Sequence, residues 1–217
     1  MPNKRKPIIA TTLSGLFLSH EPWEKAHVLW YETMAEKLND PSVKQWIDRP
    51  DYFKGVDEVM KRLYPALSDE ERTIKARELF FDSVISYIEQ NEGVKNQEII
   101  NYFKSLKTKY QIALITTNTE KVVDRISSVA HLDGLFDIIE CSLPEEKDDK
   151  RVVFSRFIKN YGKPIIYIGG GRKDSYDYCA ENEIPRVFAN LEDDEDIPGV
   201  KTIHTLNELE KTIKELS

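Results

Sequence analysis

Lys6-Pro7-Ile8-Ile9-Ala10-Thr11-Thr12-Leu13-Ser14-Gly15-Leu16-Phe17-Leu18-Ser19-His20-Glu21-Pro22 is the stretch from which the rest of the chain is read. Its short apolar run reads as a buried strand. A glycine then breaks the run, and a polar segment opens a helix at Trp23. Thr11 and Thr12 are β-branched and suit a strand end.

Downstream, roughly Trp23 to Gln90, the pattern is helical throughout. Residues Trp23 to Ala35 place apolar side chains at three-to-four spacing, the mark of an amphipathic helix. Asn39-Asp40-Pro41 stops that helix and caps another, and Gly55 to Leu63 predicts a third. Ser68-Asp69-Glu70-Glu71 is a capping box and predicts a fourth helix to Ile88.

From Asn96 the pattern alternates. Strands are predicted over Tyr110–Thr116, Phe136–Cys141, Pro164–Ile168 and Arg186–Ala189, with helices between them. Thr119 and Asp148-Asp149 cap two of those helices, and Thr205-Leu206-Asn207-Glu208 is a second capping box opening the last. This alternation predicts an α/β fold: a doubly wound parallel sheet with an all-helical segment inserted after the first strand. The expected division is 1–18 with 92–217 for the α/β core and 19–91 for the helical cap. In such sheets ligands bind beyond the carboxyl ends of the strands. Those ends are Thr12, Thr117, Cys141–Ser142 and Gly169–Gly171, a site assignment from pattern alone.

Composition narrows the partners. The formal net charge of −7 disfavours nucleic acid, which needs clustered cations. The basic run Asn3-Lys4-Arg5-Lys6 reads as a solvated lead-in to the first strand. No apolar stretch reaches the length of a membrane span. Cys141 and Cys179 stand in no metal-binding spacing and point to a reducing cytoplasm rather than a disulfide framework. The acidic run Glu192 to Asp196 lacks the glycine and ligand spacing of a calcium loop and reads as a solvated loop.

Gly15, Glu21-Pro22 and the order of the strand-end motifs together resemble the haloacid dehalogenase (HAD) superfamily. The resemblance covers the whole chain and implies a Rossmann-like core with a helical cap. In that family the first motif carries two aspartates. One attacks phosphorus, the other protonates the leaving group, and both help hold Mg²⁺, the family cofactor. Here Thr12 and Ser14 stand at those places. A threonine hydroxyl is a weak nucleophile without an adjacent base, and no histidine lies in this strand or turn. His20 and His27 lie in the inserted segment, where a solvated or core role is expected.

By the same resemblance Thr117, followed by Asn118, matches the second motif, whose hydroxyl bonds a phosphate oxygen. Capping of the next helix is a compatible reading. Lys150 matches the third motif, with Lys147 as the alternative. The fourth motif, Gly-Asp-x-x-x-Asp, falls on Gly169-Gly170-Gly171-Arg172-Lys173-Asp174. One register puts its carboxylates at Gly170 and Asp174, and the other at Gly171 and Ser175. In both, the first carboxylate is missing, and the three glycines can present N–H groups to an anion.

The resemblance therefore implies a phosphatase-like frame whose catalytic positions Thr12, Ser14 and Gly170 are degenerate. No metal is expected, with Asp174 the one candidate ligand. A site keeping Lys150, and with Arg172 and Lys173 nearby, would favour an anion. A close unit charge changes an anion's energy by about 4 kcal/mol at an effective dielectric near 20. The expected function is non-hydrolytic binding of a small phosphorylated or anionic ligand, or of a protein partner. Ligand residues would be Thr12, Ser14, Thr117, Asn118, Lys150, Gly169, Gly170 and Gly171. The alternative is an atypical hydrolase of small phosphate esters that uses no aspartate nucleophile. A third reading is a structural protein, a homodimer for instance, associating through Trp23, Trp30, Trp46, Phe80 and Phe81.

Overall fold

The computed structural model describes residues 6–49, 52–146 and 148–215, so Lys147 and Asn3 to Arg5 lie outside the described residues. The chain forms two compact units, dividing after Ser19 and after Val94.

Strand β1 (Ile8–Thr11) opens the chain's α/β unit and is buried from Ile9 onward. The helical unit follows. Helix α1 (Glu21–Leu38) starts two residues before Trp23 and carries Pro22 in its first turn, where a missing N–H costs nothing. Asn39 ends it in a left-handed conformation. Asp40 then caps a 3₁₀ turn, Pro41–Trp46. Helix α2 (Tyr52–Leu63) begins three residues earlier than Gly55. Gly55 is tolerated inside it because the indole of Trp46 lies against its backbone; a Cβ there would sit 2.9 Å from the Trp46 Cβ. Helix α3 (Asp69–Gln90) carries the complete Ser68–Glu71 capping box. Trp30, Tyr31, Met34, Val59 and Met60 fill this unit's core, with Trp46 and Phe80 packed on it. The aromatic set singled out in the sequence is thus mostly core. The ring nitrogen Nε2 of His27 pairs with the Ile47 carbonyl at 3.0 Å.

In the α/β unit the chain runs α4 (Gln97–Leu106), β2 (Gln111–Ile115), α5 (Glu120–Val129), β3 (Ile138–Glu140), α6 (Lys150–Tyr161), β4 (Ile166–Gly169), α7 (Lys173–Glu181), β5 (Arg186–Ala189), β6 (Lys201–Ile203) and α8 (Leu206–Lys214). The six strands form one sheet in the order β3-β2-β1-β4-β5-β6, every pairing parallel. Parallel strands covered by helices on both faces need apolar side chains on both faces, as the runs in β2 and β4 supply. Strand β6 has no counterpart among the predicted strands. It is three residues long, lies at the sheet edge and buries one side chain, Ile203. The Thr205 hydroxyl accepts from the Glu208 N–H at 3.3 Å, but the Glu208 carboxylate takes the N–H of His204, so the second capping box is only half formed.

Phe154, Tyr167, Tyr176, Tyr178 and Phe188 pack with Cys179 in the main core cluster. Phe17 meets the rings of Phe103 and Phe136 edge-on, at 5.0 and 5.5 Å between centroids. These contacts, with the Asn96 N–H donating to the Phe17 carbonyl at 2.9 Å, fix the loop that leaves β1. Both cysteines are free thiols. Among the described residues no helix is long and apolar enough to cross a membrane.

Candidate functional site

Because every strand runs the same way, the strand-end residues gather at one edge of the sheet. Thr11 pairs with Leu114 on one side and Ile168 on the other, so Thr12 leaves the sheet between the ends of β2 and β4. The Thr11 hydroxyl is committed to the Ala113 carbonyl at 2.8 Å and is buried. Thr12 is half-buried.

The turn after β1 is tight. The Leu13 carbonyl accepts from the N–H groups of Phe17 and Leu18 at 3.0 and 3.2 Å, and the Gly15 N–H donates to the Leu18 carbonyl at 2.7 Å. Gly15 has φ +74°, a conformation glycine adopts freely. This turn abuts the end of β4. A Cβ on Gly170 would run into the Ser14 carbonyl oxygen and lie 2.5 Å from the Gly15 Cα. The neighbouring atoms are backbone and cannot swing aside. Gly171 has φ +106° and its N–H donates to the Tyr176 hydroxyl at 3.2 Å. Of the two positions that the resemblance assigns to the fourth motif's first carboxylate, 170 is too crowded for a side chain and 171 has a left-handed backbone that favours glycine.

At the end of β2 the Thr116 N–H donates to the Glu140 carbonyl, and the Ser142 N–H donates to the carbonyls of Thr116 and Asn118. The Asn118 N–H is held by the Thr116 hydroxyl at 3.1 Å. These bonds fix the backbone that presents Thr117. Thr119 makes no side-chain cap on α5. The buried Ser142 hydroxyl beside this turn finds no partner among the described residues.

Lys150 opens α6 and is buried, with 3% exposure. Its amine donates to the Ile115 carbonyl at the end of β2. Burial, then the Arg172 charge, pulls this amine down from 10.5 to about 7, against the opposing pull of Asp174 and Asp148. A brace behind the loop holds the helix in place: Arg156 donates to Glu140 and Glu146, each at 2.6 Å, and to the Cys141 carbonyl.

Asp149 alone caps α6, accepting from the Arg151 N–H at 2.9 Å. Asp148 instead faces Arg172. The Arg172 guanidinium donates to the Asp148 carboxylate at 2.7 Å and to its carbonyl at 3.2 Å. Its Nε bonds both Asp174 oxygens, at 2.9 and 3.1 Å, and Nη1 reaches the Thr117 hydroxyl at 3.2 Å. Burial works against the charge, but Asp148 and Asp174 outweigh it and keep the guanidinium ionised. This corrects the expected charge balance, since two carboxylates oppose the site's arginine. From sequence, Arg172 is only a neighbour of the site and Asp148 only a helix cap. The available signal is the Arg172-Lys173 pair directly after three glycines, two cations at the end of β4.

These contacts bring together Ser14 with Gly170, Thr117 with Arg172, Asp148 and Asp174, and Lys150 with the end of β2. Lys173, the first residue of α7, is exposed and makes no described contact with this group.

Solved structures of the same architecture are numerous. The HAD phosphatase from Thermococcus onnurineus is 15% identical over 95% of this chain and 97% of its own, with a TM-score of 0.63. The HAD-hydrolase YfnB from Bacillus subtilis, bound to magnesium, is 14% identical over 97% and 100%, at 0.61. CbbY from Rhodobacter sphaeroides, in complex with phosphate, is 11% identical over 94% and 96%, also at 0.61. No family model and no curated protein matches the sequence. The chain therefore has the fold of the haloacid dehalogenase superfamily phosphatases and hydrolases along nearly its full length.

YfnB holds magnesium in this fold, and positions 12, 14, 170 and 174 of this chain do not offer the ligand set that ion asks for. Mg²⁺ asks for hard oxygen ligands, one or two of them carboxylate, in octahedral array. Positions 12 and 14 offer hydroxyls, position 170 has no room for a side chain, and Asp174 is engaged by Arg172. Among the described residues no three His, Cys, Asp or Glu side chains cluster as a metal site would need.

Proposed function

We propose that this chain uses a phosphatase-type frame to bind a small phosphorylated or otherwise anionic ligand without hydrolysing it. The observation that carries the reading is the pairing of a buried lysine with the site's missing acids. Lys150 lies beneath the β2 end that presents Thr117, while Thr12 and Ser14 supply no carboxylate. A buried amine, when protonated, is a strong anion partner because the low dielectric magnifies its charge, and the two nearby carboxylates, Asp148 and Asp174, are engaged by Arg172. The hydroxyl of Thr117 and the N–H groups at the start of α5 add further donors beyond the end of β2. Without an aspartate at position 12 there is no acyl-phosphate intermediate, and without one at 14 there is no general acid.

The test is calorimetric titration of the purified chain with inorganic phosphate, with and without Mg²⁺, beside an assay with a simple aryl phosphate. Phosphate binding that Mg²⁺ does not strengthen, with no turnover, is expected. Lys150→Met should weaken that binding about tenfold or more, a loss of roughly 1.4 kcal/mol or greater. Turnover, or affinity that climbs with Mg²⁺, overturns the reading.

A further inference from the structure

We infer that Arg172 is the site's resident cation, a tethered guanidinium doing the electrostatic work that a divalent ion does elsewhere in this fold. It deepens the metal-free half of the reading above and is independent of whether phosphate binds.

Two strand-end loops and the first turn of the helix that Arg172 itself caps converge on this one side chain. The loop after β2 contributes the Thr117 hydroxyl, the loop before α6 contributes both the carboxylate and the carbonyl of Asp148, and the first turn of α7 contributes Asp174. A guanidinium has five donors in a fixed plane and no acidic proton to lose, so it can satisfy several oxygens at set angles and stay charged. Here it makes two ion pairs, at 2.7 and 2.9 Å, among side chains that are about 37–40% exposed. Oxygen atoms from separate loops held around one positive centre are what a bound metal ion organises. Arg172 supplies the centre from within the chain and leaves Asp174 unavailable to any ion from solution. The backbone agrees: with Gly170 pressed against Ser14 and Gly15, no second carboxylate can approach from the end of β4.

The same arrangement gives Arg172 a second consequence. Its charge is one of the causes that lower the Lys150 amine, so removing the guanidinium makes Lys150 easier to protonate.

The experiment uses the full chain without phosphate and reads Mn²⁺, a paramagnetic stand-in for Mg²⁺, by electron paramagnetic resonance and thermal melting. The wild type should leave the Mn²⁺ spectrum and its own melting temperature unchanged. Arg172→Gln, which keeps a polar side chain and loses the charge, should melt roughly 2–6 °C lower. It should then recover part of that loss in millimolar Mn²⁺, since a ligand that binds only the folded state stabilises it. Adding Asp174→Asn to Arg172→Gln should abolish the recovery. Mn²⁺ binding by the wild type that Asp174→Asn removes would overturn the inference, and that arm needs no altered arginine. An Arg172→Gln chain as stable as wild type and indifferent to Mn²⁺ would overturn it too. Should Arg172→Gln not fold, Arg172→Lys decides: a folded, Mn²⁺-indifferent lysine variant supports the charge, and an unfolded one refutes it, because a second cation should serve.

Discussion

At the residue scale the most consequential side chain is Lys150. Its amine titrates near 7 in the folded chain and near 10.5 when exposed. Between those values the unfolded chain holds a proton that the folded chain has given up, so stability rises with pH across that window. Below about 7 the penalty is fully present and constant. Lys150→Met removes the titrating group. Urea unfolding at pH 7 and 9.5 should show the wild type gaining roughly 3 kcal/mol relative to the variant over that interval. A difference between the two chains that does not move with pH would show an ordinary lysine. Sulfate, whose charge is fixed in this range, isolates the same group in binding. Its affinity should fall as pH climbs above about 7, approaching tenfold per unit, as titration calorimetry can follow. Lys150 was legible in the sequence because a lysine just ahead of an apolar helix fits one motif position. Arg172 was not, because its role depends on where Asp148 points, and the sequence offers Asp148 and Asp149 as equal caps. Only the fold separates them, giving the cap to one and the arginine to the other.

At the scale of elements, legibility followed pattern strength. β5 spans the four residues predicted for it, and β2 lies within one residue of its predicted ends, since continuous apolar runs between turns have few other readings. The Ser68 box sets the start of α3 for the same reason: its side chain accepts from the Glu71 N–H at 3.2 Å, and the Glu71 carboxylate accepts from the Ser68 N–H at 2.7 Å. Ser68→Ala should cost about 1 kcal/mol and lower the melting temperature by about 2–4 °C. Calorimetry that finds no change would mean the first turn of α3 is held by other contacts. β6 escaped notice because Lys201-Thr202-Ile203 has one inward side chain, and an edge position demands no more. Its pairing partner, Val187 to Ala189, determines it from across the sheet, a long-range cause that local periodicity cannot contain.

At the scale of the molecule, a parallel sheet collects chemistry from distant parts of the chain at one edge, and small changes there propagate through backbone contacts. Gly170→Ala tests this directly. One methyl driven against the Ser14 carbonyl should destabilise the chain by about 1–3 kcal/mol, measured by denaturant unfolding. Placing aspartate at positions 12, 14 and 170 together should give no aryl-phosphate turnover, because the third change cannot be seated while the β1 turn keeps its path. A triple variant that folds to wild-type stability and hydrolyses the ester would contradict this. The nesting of Gly170 against the Ser14–Gly15 turn also bears on descent. If an ancestor of this chain was a working phosphatase, losing the acidic residue at 170 let two loops settle together, and the gap it had occupied closed. Reversal by point mutation would then pass through destabilised intermediates, because any side chain at 170 meets the backbone of that turn, so selection meets a ratchet there.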